Sequence, residues 1–194
     1  MRKQIMMVLA VMLLAVGAQA AEYGIDASHS SVGFKVKHML VSNVRGAFND
    51  FSGSFNFVDG KPEQWSVNAE IQMASVDTGD EKRDDHLRNP DFFDVAQFPT
   101  MTFKSTKVVS NGGDSYTMHG DLTMHGVTKS VALDLTFNGA ITDPWGNQRA
   151  GFEANGKINR QDFGITWSKS MDGGGLVVGD DVHINLEIEG VMKK

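Results

Sequence analysis

The chain is predicted to be all-β: an antiparallel eight-stranded barrel with one short helical cap segment. Apolar and polar residues alternate with a period of two over most of the chain, as in strands with one buried and one exposed face. Turn signals such as Asp59-Gly60 and Asn111-Gly112-Gly113 separate these stretches. One-sided strands that follow one another in this way favour an antiparallel meander that closes into a barrel.

Eight stretches carry the strand prediction, six of them clear and two weaker. The clear strands lie at 32–37, 67–73, 116–124, 131–137, 152–158 and 182–189, and the weaker ones at 47–58 and 101–109. A barrel of eight strands is either filled by its own side chains or hollow enough to hold one small ligand. The alternation by itself leaves both arrangements open.

The first twenty residues differ from the rest and are predicted to be a cleaved signal peptide. Arg2 and Lys3 precede an apolar run over residues 5–16, and Ala18 and Ala20 form a small-x-small cleavage pattern. The run is shorter than the roughly 20 residues that span a bilayer. We therefore expect cleavage after Ala20, a periplasmic or secreted protein, and a single domain over residues 21–194.

The composition of the chain makes some classes of binding partner unfavourable. Removal of Arg2 and Lys3 leaves 16 basic residues against 24 acidic ones, a net charge of about −8. This charge disfavours nucleic acid and an anionic membrane surface. We expect no stable membrane anchor, and the absence of Cys means that stability comes from the core rather than from disulfides.

Residues 78–99 interrupt the strand pattern. Thr78 and Glu81 fit a capping box, which predicts a short helix over residues 82–88 that stops before Pro90. A Phe-rich stretch follows the helix. The segment fits either a cap on the barrel mouth, and hence a gate, or an ordinary crossover between strands.

Catalytic and metal chemistry are not expected. In one continuous strand His119 and His125 would lie about 20 Å apart, at roughly 3.3 Å per residue, which is too far for a shared ion. The sequence has no Gly-x-Ser-x-Gly or His-Glu-x-x-His motif, and Ser28-His29-Ser30 has no geometric warrant as a catalytic dyad. We therefore expect a binding protein with no enzyme activity, no metal site and no cofactor.

Motifs spread over the chain strongly resemble the YceI-like family. They are Ser75-Val76-Asp77-Thr78, Arg83-Asp84, His86-Leu87-Arg88, Asp91-Phe92-Phe93, Phe98-Pro99, Thr102-Phe103, Gly120-Asp121-Leu122-Thr123, Gly126-Val127-Thr128-Lys129, Ala150-Gly151-Phe152-Glu153, Arg160 and Asp162-Phe163-Gly164. They follow the family's order from about Tyr23 to Val191. The family is similar in fold to lipocalins, and its members resemble exported carriers of polyisoprenoid or related long-chain lipids.

The resemblance implies a hollow barrel that holds a quinone, polyprenol or fatty amide for storage or transport. The candidate ligand-binding residues are Phe34, Val36, Phe48, Phe92, Phe93, Phe98, Phe103, Leu122, Leu133, Phe137, Phe152, Phe163 and Trp167. Arg83, Asp84 and His86 match the family motif and are expected either to hold the cap through loop backbone or to contact a head group. A metal- or stress-related binding module and an accessory to a quinone-linked membrane enzyme are the alternatives, and a homodimer stays open.

Overall fold

The structure, a computed structural model, describes residues 20–172 and 174–194. Within these residues the chain forms mainly strands, which confirms the predicted all-β class. The strands are β1 (Ala21–Ile25), β2 (Ser31–His38), β3 (Ser42–Phe48), β4 (Phe51–Phe57), β5 (Ser66–Gln72), β6 (Val76–Asp77), β7 (Thr100–Gly112), β8 (Ser115–Met124), β9 (Val127–Thr142), β10 (Gln148–Asn159) and β11 (Val178–Met192). Apart from Ala20, the predicted signal peptide lies outside the described residues.

Three strands of the barrel are each broken into two segments. The 3₁₀ turn Ala27–His29 separates β1 from β2, and both segments pair with β11. In the same way β3 and β4 together face β1 and β2, while β5 and β6 together face β4 and β3. The eleven segments of the described chain therefore make eight strands of one barrel.

The barrel is closed and wholly antiparallel. From β5 the pairing runs through β7, β8, β9 and β10 to β11, and β11 returns to β1 and β2. This confirms the predicted eight-stranded barrel. The sequence prediction does not include β1, although Ala21, Tyr23 and Ile25 alternate, because the stretch is only five residues long.

The one α-helix of the described residues, α1 (Glu81–Arg88), lies where a helix is predicted. Its N-cap is Asp80, whose side chain accepts a hydrogen bond from the backbone N–H of Arg83, and not Thr78. Gly79 takes a left-handed φ of 76°, which brings Asp80 rather than Thr78 to the capping position. Further 3₁₀ turns cover Pro62–Gln64, Met73–Ser75 and Arg160–Phe163. No helix in the described ranges is long and apolar enough to span a membrane.

The barrel has two distinct ends, which β11 connects. Val178, at the start of β11, faces His38, and Val191, near its finish, faces Arg149. The loop 164–177, described except for residue 173, leads into Val178, and its Trp167 contacts Phe92 of the segment 78–99, so we call this end the cap end. The β9–β10 turn at 143–147 lies at the opposite end, which we call the far end.

Candidate ligand-binding cavity

The inward side chains of the barrel form two buried hydrophobic clusters, and members of both line an apolar cavity of about 230 Å³. Arg160 is the one residue with an ionisable side chain on this wall among the described residues. The interior is therefore hollow rather than filled by side chains, and its surface suits an apolar ligand.

Aromatic rings close the far end of the barrel. Tyr23 stacks on Phe55 with ring centroids 5.2 Å apart, and Trp65 packs on Tyr116 at 4.6 Å. The Trp65 indole N–H donates to the Val58 carbonyl at 2.7 Å, so its polar atom is satisfied. The aromatic plug comprises Tyr23, Phe55, Phe57, Trp65, Tyr116, Phe137 and Phe152. Because these rings pack against one another, they obstruct the far end of the described barrel, and we expect a ligand to enter through the cap end.

Nine of the thirteen candidate ligand-binding residues lie on the cavity wall. They are Phe34, Val36, Phe48, Phe92, Phe93, Phe103, Leu122, Leu133 and Phe152. Seven of them occupy inward positions on strands, as the alternation predicts, and Phe92 and Phe93 belong to the segment after α1. The structure brings these side chains together, and their contact with a ligand stays a prediction.

The other four candidates lie away from the cavity wall. Phe137 belongs to the aromatic plug, and Phe98 packs on His125 with ring centroids 4.5 Å apart. Phe163 is buried in its 3₁₀ turn, and Trp167 covers Phe92 at 5.2 Å. Their residue type and proximity to strands suggested an inward position, but packing at the barrel ends decides where these rings lie.

Several wall residues are absent from the sequence prediction. Alternation along β11 places Ile184, Leu186 and Ile188 inward, but it does not distinguish a filled core from a cavity wall. Trp65 precedes β5 in the same phase as Val67 and Ala69, so the alternation could have signalled its inward direction. The unpredicted side chains of the wall include Phe51, Phe55, Trp65, Ile71, Met101, Met118, Met124, Leu135, Val182, Ile184, Leu186 and Ile188.

Inward-facing glycines let aromatic side chains lie flat on the wall. Gly46 faces Phe34 across the β2–β3 pair, and a Cβ on Gly46 would lie 2.5 Å from the Phe34 ring. A Cβ on Gly120 would likewise clash with the Phe103 ring, and a Cβ on Gly190 would clash with the Phe55 ring. Glycine within a strand often marks such a close approach, and here it keeps rings out of the lumen.

The segment 78–99 both connects β6 to β7 and forms part of the cavity wall. Leu87 from α1 and the following Phe92 and Phe93 line the cavity. The Phe93 ring packs 5.8 Å from the ring of Phe48 on the barrel. The segment is therefore a cap in the structural sense, because its side chains close the interior at one end.

The three head-group candidates hold the cap together. The Asp84 carboxylate, which is buried, accepts hydrogen bonds from the Thr78 hydroxyl at 2.5 Å and the Thr78 backbone N–H at 2.9 Å. Arg83 donates to the hydroxyl and the carbonyl of Thr78. His86 lies 2.9 Å from the Asp91 carboxylate. The bonds to Thr78 support the cap-fastening alternative, and head-group contact stays a prediction.

Arg160, the charged residue of the wall, uses four of its five N–H donors in bonds to protein groups. Its guanidinium donates to the carbonyls of Gly179, Ile165 and Trp167 and to the Asp180 carboxylate. Burial lowers its pKa from the ordinary value, and Asp180 opposes this shift. Arg160 therefore ties the loop 164–177 to β11 instead of presenting a free charge to the cavity.

A second polar cluster lies at the far end. Asp26, His29 and Glu189 are the one group of described side chains close enough together to share a metal ion. Arg149 already bonds both carboxylates, so a cation would have to displace a guanidinium. The Ser28 hydroxyl and the Asp26 carboxylate both meet the same His29 atom, Nδ1. A catalytic triad instead needs the serine and the acid on opposite ring nitrogens.

His119 and His125 do not share one strand. His119 lies in β8, whereas His125 lies in the β8–β9 turn with a φ of 52°. The His125 Nδ1 atom donates to the Phe163 carbonyl at 3.2 Å. The two histidines therefore occupy a strand and a turn rather than two positions of one continuous strand.

A closed antiparallel barrel with an apolar cavity, sealed at one end and capped at the other, defines the class of lipocalin-like binding proteins. The model of the YceI-like domain matches residues 23–190, and the chain belongs to this family. A UPF0312 protein of Yersinia pestis is 46% identical over 187 residues, which cover 95% of this chain and 94% of that protein.

Solved structures support the same assignment. BcnA of Burkholderia cenocepacia has a TM-score of 0.75 at 28% identity, and the match covers 85% of this chain and 98% of that one. A polyisoprenoid binding domain from Saccharophagus degradans has a TM-score of 0.66 at 15% identity, covering 90% and 100% of the two chains. At this identity the second likeness shows the fold alone.

Proposed function

We propose that this protein is an exported binding protein that holds a polyisoprenoid or a similar long-chain apolar lipid inside its barrel, for storage or transport. The apolar cavity with its sealed far end is the observation that carries this proposal. The resemblance to the YceI-like family names the ligand class, which includes quinones, polyprenols and fatty amides. A homodimer and a quinone-linked membrane partner stay predictions.

Burial of an apolar chain supplies enough free energy for tight binding. Each buried methylene contributes about 0.8 kcal/mol, so a five-carbon isoprene unit contributes about 4 kcal/mol. Three buried units reach roughly 12 kcal/mol, comparable with nanomolar affinity before ordering costs. A short apolar segment suits a cavity of about 230 Å³, and a longer chain requires the cap end to open.

The wall favours binding over catalysis. An acid, base or nucleophile in the lumen would have to be a polar side chain with free bonding capacity. Arg160 is the one ionisable side chain on the described wall, and backbone carbonyls and Asp180 accept from four of its five N–H donors. The other polar side chains on the wall, Asn56 and Ser66, hydrogen-bond to each other. We therefore assign the cavity a holding role.

Mass spectrometry of an organic extract of the purified native protein tests the ligand class directly. Two tryptophan substitutions at adjacent positions of β11 test the location. Leu186 lines the cavity, whereas Glu187 is exposed on the outer face. Leu186→Trp fills the lumen and should reduce the affinity for a fluorescent isoprenoid at least tenfold, whereas Glu187→Trp should leave it unchanged. Equal affinity in the two variants would exclude the cavity as the site.

Export is the part of the proposal that depends on residues 1–20. The charged start, the apolar run and the small-residue site support cleavage after Ala20. The N-terminal sequence of the protein recovered from the periplasm or the medium should begin at Ala21. Recovery of an uncleaved chain in the membrane fraction would contradict it.

A further inference from the structure

The tip of the β2–β3 hairpin exposes three apolar side chains in a row. Met39, Leu40 and Val41 are 42, 62 and 85% exposed. The tip lies at the cap end, because His38 faces Val178 and the Met39 backbone N–H donates to the Val177 carbonyl at 2.9 Å. Among the described residues, the longest run of exposed large apolar side chains therefore lies beside the end through which we expect a ligand to enter.

The backbone of this tip is adapted to different residues. Met39 and Leu40 have φ values of 48° and 63°, and the Val41 N–H donates to the His38 carbonyl, which defines a type I′ turn. Such turns favour Asn-Gly, because bulky residues with positive φ incur a steric cost. In this turn the two positions are occupied by Met39 and Leu40, and both side chains are exposed. Leu40 does approach Gly175 of the neighbouring loop, but all three apolar side chains of the tip remain exposed. A local rule broken with so little gain in packing points to a function outside the fold.

The strands behind the tip carry unpaired positive charge. Between Ser31 and Phe48 the chain has Lys35, Lys37 and Arg45 and no acidic residue. Within the described residues none of these three forms an ion pair.

The strand register places basic residues directly opposite one another. Lys35 stands directly between His183 and Arg45 on its two neighbouring strands. Lys35 and Arg45 are like charges directly opposite each other, an arrangement that destabilises the pairing of β2 with β3. The nearby acids Asp180 and Asp181 are already paired, with Arg160 and Lys157 respectively. The outer face of the hairpin is therefore a positive surface on a negatively charged protein.

We propose that the hairpin tip docks on an anionic phospholipid bilayer. Met39, Leu40 and Val41 insert at the boundary between head groups and acyl chains, while Lys35, Lys37 and Arg45 face the lipid phosphates. The net negative charge of the whole protein does not prevent this, because exposed charges beyond a Debye length of about 10 Å are largely screened. This part of the proposal rests on the proposed function: docking places the cap end against the bilayer, so that a lipid passes into the cavity without crossing water.

The far end supplies a matched control. Ile141 and Trp145 are also exposed, at 64 and 81%, but they lie at the β9–β10 hairpin. The nearby cation, Arg149, is neutralised by Asp26, Asp143 and Glu189. Among the described residues, the Ile141 and Trp145 surface has no free positive charge beside it, and it lies far from the cap end. We therefore expect that it does not dock on the bilayer.

Sedimentation with vesicles of phosphatidylglycerol and phosphatidylethanolamine tests the proposal, with phosphatidylcholine vesicles for comparison. The protein should bind the anionic vesicles, and binding should fall as salt increases. The variant M39N/L40G/V41S suits the type I′ turn, so it should be at least as stable as the original and lose binding more than tenfold. K35Q/K37Q/R45Q should also lose more than tenfold, since each cation near such a surface contributes about fivefold. I141S/W145S should bind normally.

Three results would overturn the proposal: no binding of the original protein to anionic vesicles, equal loss in I141S/W145S, or a dimer that M39N/L40G/V41S converts to a monomer. The last result would assign the tip to a second copy of the chain. Binding of a fluorescent isoprenoid without vesicles separates this proposal from the function itself. Tip variants should retain that binding, and its absence in the original protein would defeat the lipid-holding role while leaving docking intact.

Discussion

Arg149 joins three carboxylates from separate parts of the chain at the far end. It bonds Asp143 at 2.8 Å, Asp26 at 3.0 Å and Glu189. The Arg149 hydrogen bond holds the pKa of Asp143 well below its ordinary value, and Asn147 adds to this effect. Ser28, His29 and then Arg149 lower the pKa of Asp26 in the same way.

This network predicts a specific loss of stability in acid. A carboxyl group whose pKa is lowered by folding stabilises the protein above its unfolded pKa of about 4, and the contribution disappears as the pH falls towards the folded value. Asp143→Asn should therefore lower the free energy of unfolding at pH 7, and its difference from the original protein should shrink between about pH 5 and pH 2. Urea denaturation across this range measures the effect.

Asp59 provides the control for this experiment, because it is an exposed turn residue outside the described ion pairs. Asp59→Asn should change stability by no more than about 0.5 kcal/mol at any of these pH values. A pH dependence for Asp143→Asn that matches Asp59→Asn would show that the network contributes nothing.

At the scale of single strands, glycine placement shapes the lumen. Phe34 on β2 lies flat over Gly46 on β3, and Thr78 of the cap segment approaches the same glycine. An alanine Cβ at position 46 would lie 2.5 Å from the Phe34 ring and 2.8 Å from the Thr78 methyl group. Neither neighbour can remain where it is, so the ring must turn towards the cavity.

Gly46→Ala should therefore destabilise the protein by about 1–3 kcal/mol, as overpacking does, and weaken binding of an apolar probe. Gly151→Ala in β10 is the comparison, since its nearest neighbour would be the Asn138 Cβ at 3.8 Å, an ordinary contact. Gly151→Ala should keep the stability of the original protein and its affinity for the apolar probe. If Gly46→Ala binds the probe with unchanged affinity, the ring does not enter the lumen.

Helix α1 shows which structural features the local sequence predicts and which it does not. Its range follows from a polar stretch before Pro90, and the structure confirms it. The capping residue cannot be predicted from the local sequence in this way, because Thr78 bonds the buried Asp84 carboxylate instead of capping the helix. Both Thr78 and Asp80 are capable caps, and the tertiary position of Asp84 decides between them.

For the whole molecule, the sealed far end and the cap define one route for a ligand. Phe92 and Phe93, together with Leu87, are the residues that the cap segment contributes to the cavity wall. Phe92 is in turn covered by Trp167, which Arg160 holds through its carbonyl. The cap is thus fixed by contacts that must loosen before a long chain can pass.

The double change Phe92→Ala and Phe93→Ala should speed ligand loss about tenfold or more, because changes within one site act mainly on the off-rate. Transfer of a fluorescent isoprenoid to vesicles measures this rate, with circular dichroism to show that the barrel is folded. Phe98→Ala is the control within the same segment, because Phe98 packs on His125 outside the cavity.

The control variant should release the ligand at the original rate. An unchanged rate in the Phe92 and Phe93 double variant, with the fold intact, would mean that the segment only connects β6 to β7. Passage would then take place beside the loop 164–177.

The sequence by itself determined the eight-stranded barrel, the inward face of each clear strand and the position of the helix. These features depend on the period-two pattern and on local turn and helix signals, which neighbouring residues express directly. Phe34, Phe103 and Leu133 illustrate this, since alternation predicts their inward direction and the structure places all three on the wall.

Only the tertiary structure decided which inward residues surround a cavity and which fill the barrel. Phe137 and Phe152 share an inward direction and pack 5.2 Å apart, yet Phe152 reaches the lumen and Phe137 belongs wholly to the plug. The difference depends on barrel closure, which brings Tyr23 and Phe57 beside them from the other end of the chain. Alternation specifies the face of a strand, whereas depth along the barrel axis is set by packing among strands distant in sequence.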